Sequence, residues 1–175
     1  MNLFAEPADH AIGRSRGGLS TKIHALVDGK GRPLVLLVAP GQGGDAPIFT
    51  HLMDHLKINR ASLGRPRTRP DRVRGDKAYS SRAIRTHLRG RGIAAVIPEP
   101  ADQIGHRKRR GSAGGRRPAF DKEDYKGRNV VERNFNTFKQ WRALATRYDK
   151  LALTYRGGAV LRAVSIWLAA LGDTP

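Results

Sequence analysis

The sequence predicts an α/β domain in which a mixed sheet is flanked by helices, and three patterns predict it. Residues 20–39 hold an alternating segment followed by a short apolar run, and residues 48–56 carry apolar side chains at helical spacing. Two further strand-like runs, at 72–75 and 93–97, follow with a helical segment between them. Strands that alternate with helices along a chain pack as a sheet covered by helices, in a three-layer α/β or an α+β arrangement. A length of 175 residues suits a single core, so 1–175 reads as one domain.

Taken in order, Ser20 to Asp28 (STKIHALVD) alternates partly between polar and apolar, GKGR interrupts, and Pro33 to Ala39 (PLVLLVA) is apolar on both faces. This is a β-hairpin whose second arm lies under helices. After Gly41-Gln42-Gly43-Gly44, Asp45 is placed to cap a helix containing Ile48, Phe49, Leu52, Met53 and Leu56. A basic, proline-broken loop (RPRTRP, 65–70) leads to a short strand around Arg72 to Gly75 that ends at Asp76. Ser80 to Arg89 reads as a helix ended by GRG, and Ile93 to Ile97, closed by Pro98, as a strand. From Gly105 to Pro118 the only apolar anchor is Ala113, so about 101–118 is expected to be a mobile basic loop. A long helix is expected from near Glu123 to about Tyr148, and the apolar segment Gly157 to Leu171 forms a last core helix ended at Gly172.

Charge narrows the partners. Lys and Arg number 33 against 15 Asp and Glu, a formal charge of +18, and 24 of the cations are Arg, whose planar fork suits phosphate. The expected partner is a polyanion, and the arginine runs 65–74 and 106–117 favour contact with a DNA backbone over a merely solvated loop. There is no Cys, which excludes disulfides, thiolate zinc sites and cysteine nucleophiles. The first ten residues, MNLFAEPADH, lack the basic and apolar regions of a signal peptide, and the last apolar stretch is interrupted by Arg162 and too short for a bilayer, so no membrane partner is expected.

The pattern most suggestive of chemistry is Tyr125, Arg128, Glu132 and Lys139, at offsets of 3, 7 and 14 from the tyrosine. At about 100° per residue these share an arc of about 60°, one narrow helix face. Val131, Phe135 and Phe138 lie beside that arc, which places the polar row along a buried border and makes Glu132 a partly buried carboxylate flanked by cations. Spacing alone favours a solvated face with ordinary helical salt bridges. His51 and His55 are four apart, but Leu52 stands where a zinc-protease helix needs Glu. Gly41 to Gly44 lacks the Lys-Ser/Thr ending of a phosphate-binding loop and reads as a turn before a helix. Trp141 and Trp167 read as core residues.

The segment YKGRNVVERNFNTFKQW resembles the Y-x2-R-x3-E-x6-K signature of bacterial insertion-sequence transposases of the DDE type, with Tyr125, Arg128, Glu132 and Lys139 in register. DRVRGDKAYSS (71–81) is similar to the family's strand bearing the second acidic residue, here Asp76, and GGLSTKIHALVDGKGRPLVLLVAPGQGGDAP to its second and third strands. The resemblance covers about His10 to Leu171. It implies a ribonuclease H-like fold, metal-dependent phosphodiester hydrolysis and strand transfer at insertion-sequence ends, and an acidic triad holding two divalent ions, Mg²⁺ or Mn²⁺. Asp76 and Glu132 would be catalytic metal ligands, while Arg128, Lys139 and Tyr125 would contact DNA. It also implies double-stranded DNA as partner, a possible homodimer, and a cytoplasmic, nucleoid-associated protein.

The same comparison predicts a departure. The family's first catalytic Asp lies on a strand before the hairpin, and MNLFAEPADHAIGRSRG has no such strand, so the first strand is expected to be missing and the chain to be an N-terminally truncated, catalytically incomplete copy. Asp9 lies in a non-strand context and Asp28 at the hairpin turn, so neither substitutes. The alternative is a non-catalytic basic nucleic-acid-binding protein in which Asp76 and Glu132 only balance nearby arginines; a nuclease of the same fold acting on RNA is a further rival.

Overall fold

A computed structural model describes residues 2–172. The alternating segment becomes strand β2 (Gly18–Val27) and the apolar run becomes β3 (Pro33–Pro40), paired antiparallel with Thr21 opposite Pro40 and Leu26 opposite Val35. The turn between them is held by Asp28, whose carboxylate accepts from the backbone N–H groups of Lys30 and Arg32, each at 2.9 Å. Successive side chains of a strand point to opposite faces, so β3 feeds two cores. Val35 and Leu37 join Phe49, Leu52 and Met53 of helix α1 (Asp45–Asp54), while Leu36 and Val38 join Tyr155, Ala159 and Ala163 of helix α7 (Ala152–Leu171). A strand covered on both faces must be apolar throughout, and that is why this run reads as continuous.

The single mixed sheet expected from the sequence is divided in two. A short strand that the sequence does not signal, β1 (Gly13–Ser15), pairs with the start of β2 over Gly18–Ser20, completing a three-stranded antiparallel sheet in the order β1-β2-β3. Strands β4 (Arg72–Arg74) and β5 (Ala94–Val96) form a separate parallel pair. Among the described residues no strand pairs with both sheets. Helix α2 (Arg82–Gly90) connects β4 to β5, started by Ser81, whose hydroxyl accepts from the Ile84 N–H, and anchored in the first core by Ile84 and Leu88.

Four further expectations are corrected. The segment expected as a mobile basic loop folds as helix α3 (Ala101–Arg109) and a 3₁₀ turn (Gly111–Gly114). Its anchors are polar, so a search for apolar residues misses them: buried Glu99 pairs with Arg107 and reaches Arg117 at 3.8 Å, and the Gln103 amide donates to the Ser80 carbonyl at 2.8 Å. The long helix is divided into α4 (Lys122–Lys126), α5 (Asn129–Lys139) and α6 (Arg142–Ala145). Asp45 does not cap α1; Gly44 holds that position, and the Asp45 carboxylate pairs with Lys22 at 3.1 Å. Trp141 is 37% exposed rather than core, with the Arg162 guanidinium 5.2 Å from its ring centre. Trp167 is half-buried and donates from Nε1 to the Pro33 carbonyl. Among the described residues no helix is long and apolar enough to cross a membrane.

Candidate functional site

Asp76 stands two residues beyond β4, exposed, in extended backbone at the start of a 3₁₀ turn (Lys77–Tyr79), with its carbonyl accepting from the Tyr79 N–H. Only Val73 of β4 packs on the first core, and this places the strand and so the position of Asp76. Helix α5 is oriented by Val130, Asn134 and Phe138, buried at successive intervals of four, with the Asn134 amide donating to the Gly31 carbonyl of the hairpin turn at 2.8 Å. That orientation turns Glu132 outward. Its side chain is 56% exposed, so the expectation of a partly buried carboxylate is corrected: the residues that border the buried face are Tyr125 and Arg128, both half-buried.

Tyr125, Arg128 and Glu132 come together. The Arg128 guanidinium lies 5.8 Å from the centre of the Tyr125 ring and donates from Nη2 to Glu132. Tyr125 is backed by Phe120, with ring centres 5.2 Å apart. Partial burial pulls the Arg128 pKa down, but the bond to Glu132 and the fields of Tyr125, Glu132 and Asp76 outweigh it and raise it. Arg128 is therefore bonded to Glu132 alone of the two candidate carboxylates, and Asp76 contributes the smallest of the fields acting on it. Lys139, the last residue of α5, is exposed two turns beyond Glu132, about 10 Å along the axis.

The residues that hold this arrangement were not legible as site residues. Asp124 of α4 takes Arg72 at 3.1 Å, and Arg74 Nε donates to the Asp124 carbonyl at 2.8 Å as well as to its carboxylate, which latches α4 and Tyr125 onto the strand that leads to Asp76. The Arg74 bond leads the causes that hold the Asp124 carboxyl below its usual pKa. Gly127 ends α4 at a point where a Cβ would stand 3.0 Å from the Arg74 guanidinium, so a side chain there would press on the latch. A signal existed: Arg72 and Arg74, two apart on a strand, point to one face and call for an acidic partner. A second missed residue is Asp45, which stands 3.7 Å from the buried His24 and beside Lys22. Burial, followed by the charges of Asp45 and Asp76, pushes the Tyr79 hydroxyl up to about 12.

Two carboxylates, Asp76 and Glu132, have the oxygen chemistry a hard divalent cation prefers. Among the described residues no group of three or more acidic or histidine side chains is arranged to hold a metal, so these residues do not by themselves make up a two-ion site. Asp28 is committed to its turn and Asp9 accepts from the Ala11 N–H. His51 lies on α1 and His55 just after it, and neither belongs to a group of three or more such side chains among the described residues; the Gly41–Gly44 segment is a turn in which a Cβ on Gly41 would meet the Ser20 hydroxyl at 1.9 Å.

Residues 5–159 match the family model described as the transposase DDE domain. A Brucella ovis protein named "Putative transposase for insertion sequence element IS6501" is 33% identical over 150 residues, covering 86% of this chain and 99% of that protein. No solved structure matches the chain.

Proposed function

The chain belongs to the transposase DDE domain family, and from that premise we propose that it acts on insertion-sequence DNA through the Tyr125, Arg128, Glu132 and Asp76 cluster. DDE domains of this kind generally use divalent metal ions. In this reading the fold is ribonuclease H-like, Asp76 and Glu132 are two of three acidic ligands of a pair of Mg²⁺ or Mn²⁺ ions, and the bound ions would stabilise charge on the attacked phosphodiester. The single observation that supports it most is the meeting of three of the signature residues, with the Arg128 guanidinium donating to Glu132 and lying 5.8 Å from the centre of the Tyr125 ring. Arg128 orients Glu132 and, with Lys139, offers positive charge to a phosphate on the same helix face; Tyr125 gives an aromatic surface beside them. Asp76 and Glu132 supply two such carboxylates, and in this reading a third acidic ligand on a further strand completes the site. Double-stranded DNA is the partner, working with a second copy in the cytoplasm at the nucleoid.

The second reading, a basic DNA-binding protein without catalysis, is favoured by one observation, the ion pair that already neutralises Glu132. Mn²⁺ binding followed by electron paramagnetic resonance separates the two. Saturable binding that is lost in both Asp76→Asn and Glu132→Gln supports the transposase site. Absence of binding, or binding that survives both substitutions, supports the second reading.

A further inference from the structure

The connection from α1 to β4 leaves the body of the protein as a ribbon pinned at its base. Ile58 and Arg67 exchange both backbone hydrogen bonds across an antiparallel bridge, at 3.0 and 2.8 Å, and close a loop of residues 59–66. The base is fixed from outside the loop. Arg91, just after α2, donates to the Thr68 carbonyl at 2.7 Å and to the Met53 carbonyl at 3.4 Å, and the Arg67 guanidinium pairs with Asp71 at 3.0 Å. Beyond the bridge Pro66 is half-buried and every other residue is exposed. The chain reverses at Gly64, whose φ of +147° suits glycine and few other residues. Leu63, immediately before it, is fully exposed and belongs to neither core. No Asp or Glu stands between Asp54 and Asp71, whereas Lys57, Arg60, Arg65, Arg67 and Arg69 surround the leucine in sequence.

A single exposed leucine on a protein surface ordinarily calls for no explanation. This one stands at the summit of a ribbon whose charges are all positive, and the base of that ribbon, at Ile58, Arg67 and Arg69, lines the same cleft as Arg128. We infer that residues 58–67 form a DNA wedge, in which Leu63 enters a base step from the minor groove while Arg60 and Arg65 hold the flanking phosphates. The reach is sufficient. Leu63 stands four residues from Arg67, so at about 3.3 Å per residue the tip can project about 13 Å from the bridge, against a minor-groove depth of about 7.5 Å. An apolar side chain pushed between base pairs partly unstacks them and kinks the duplex toward the major groove, and the distortion costs least at flexible pyrimidine–purine steps. Arginine suits the flanks because its planar fork matches phosphate oxygens. A lipid surface would accept the same leucine, but one side chain is a far weaker anchor than a single acyl chain, which itself binds only marginally. This inference rests on DNA being the partner and is independent of the metal site.

The test titrates a short duplex carrying a central TA step with the full chain, without divalent ions, and reads binding by fluorescence anisotropy and bending by energy transfer between dyes at the duplex ends. A bend of about 20–90° is expected at saturation, and a smaller one when a stiff A-tract replaces the TA step. Leu63→Ala, at a position outside both cores, should abolish the bend and leave Kd within about tenfold, because phosphate contacts supply most of the affinity of such binding. Leu63→Met should keep the bend, since methionine is also a competent wedge. Arg60→Gln combined with Arg65→Gln should lower the slope of log affinity against log salt by about 2. Binding without a bend, or a bend that persists unchanged in Leu63→Ala, would overturn the wedge and leave the transposase reading standing. Leu63-dependent binding to phosphatidylglycerol vesicles, with duplex bending indifferent to Leu63, would assign the tip to a lipid surface instead. Failure to bind duplex at all would overturn the wedge together with the reading of DNA as partner.

Discussion

Asp124 shows how one carboxylate can position others. It sits between Arg72 and Arg74, and the Arg74 bond foremost holds its pKa below the ordinary carboxylate value. A carboxyl that titrates lower in the folded chain favours folding in its ionised form. That contribution is complete above the unfolded value of about 4 and is lost as pH falls through the folded value. Asp124→Asn should therefore lower the melting temperature at pH 7 and flatten its decline in acid, measured by thermal denaturation from pH 7 to pH 3. A variant that melts with the same acid slope as the parent would show that the latch contributes nothing. Buried His24 adds an acid sensitivity of the same sign, because burial holds its imidazole below the usual value and favours the neutral form in the fold.

At the scale of elements, β3 decides stability because both cores meet on it. Leu37 is fully buried among the α1 side chains, so Leu37→Ala should cost about 2 to 5 kcal/mol, whereas Leu19→Ala, at a position 74% exposed on β2, should change stability by about 0.5 kcal/mol or less in urea unfolding. Equal costs would place the core elsewhere. The hairpin, α1, α2 and the short β4 and β5 were legible in the sequence because their apolar residues repeat at the period of each element, as Ile84 and Leu88 do in α2. What was not legible depended on polar contacts between distant residues. Glu99 and Gln103 order the arginine-rich α3, and Asp124 ties α4 to Arg74 where the helix that holds the signature is divided. Periodicity put Tyr125, Arg128 and Glu132 on one face and the structure brings them together, but it could not show that Glu132 points to solvent and already pairs with Arg128.

For the whole molecule, the proposed reading makes phosphate contact by the exposed cations, among them Lys108 and Arg109 of α3 in a chain of charge +18, the main source of DNA affinity. The logarithm of the binding constant should fall steeply with the logarithm of salt, by roughly 0.9 for each phosphate neutralised, and with little dependence on sequence. A slope near zero would mean that these cations do not reach the backbone. The central claim is that Asp76 and Glu132 belong to a DNA-cutting site that needs one more acidic residue on one more strand. It is tested most directly by cleavage of insertion-sequence end DNA in Mg²⁺ or Mn²⁺, comparing the chain as it stands with the chain extended at its amino terminus by a strand ending in aspartate. The account expects no cleavage by the unextended chain, and cleavage by the extended one that disappears in Asp76→Asn and in Glu132→Gln. Cleavage by the unextended chain, abolished by Asp76→Asn, would contradict it, because another carboxylate already in the chain would then complete the site.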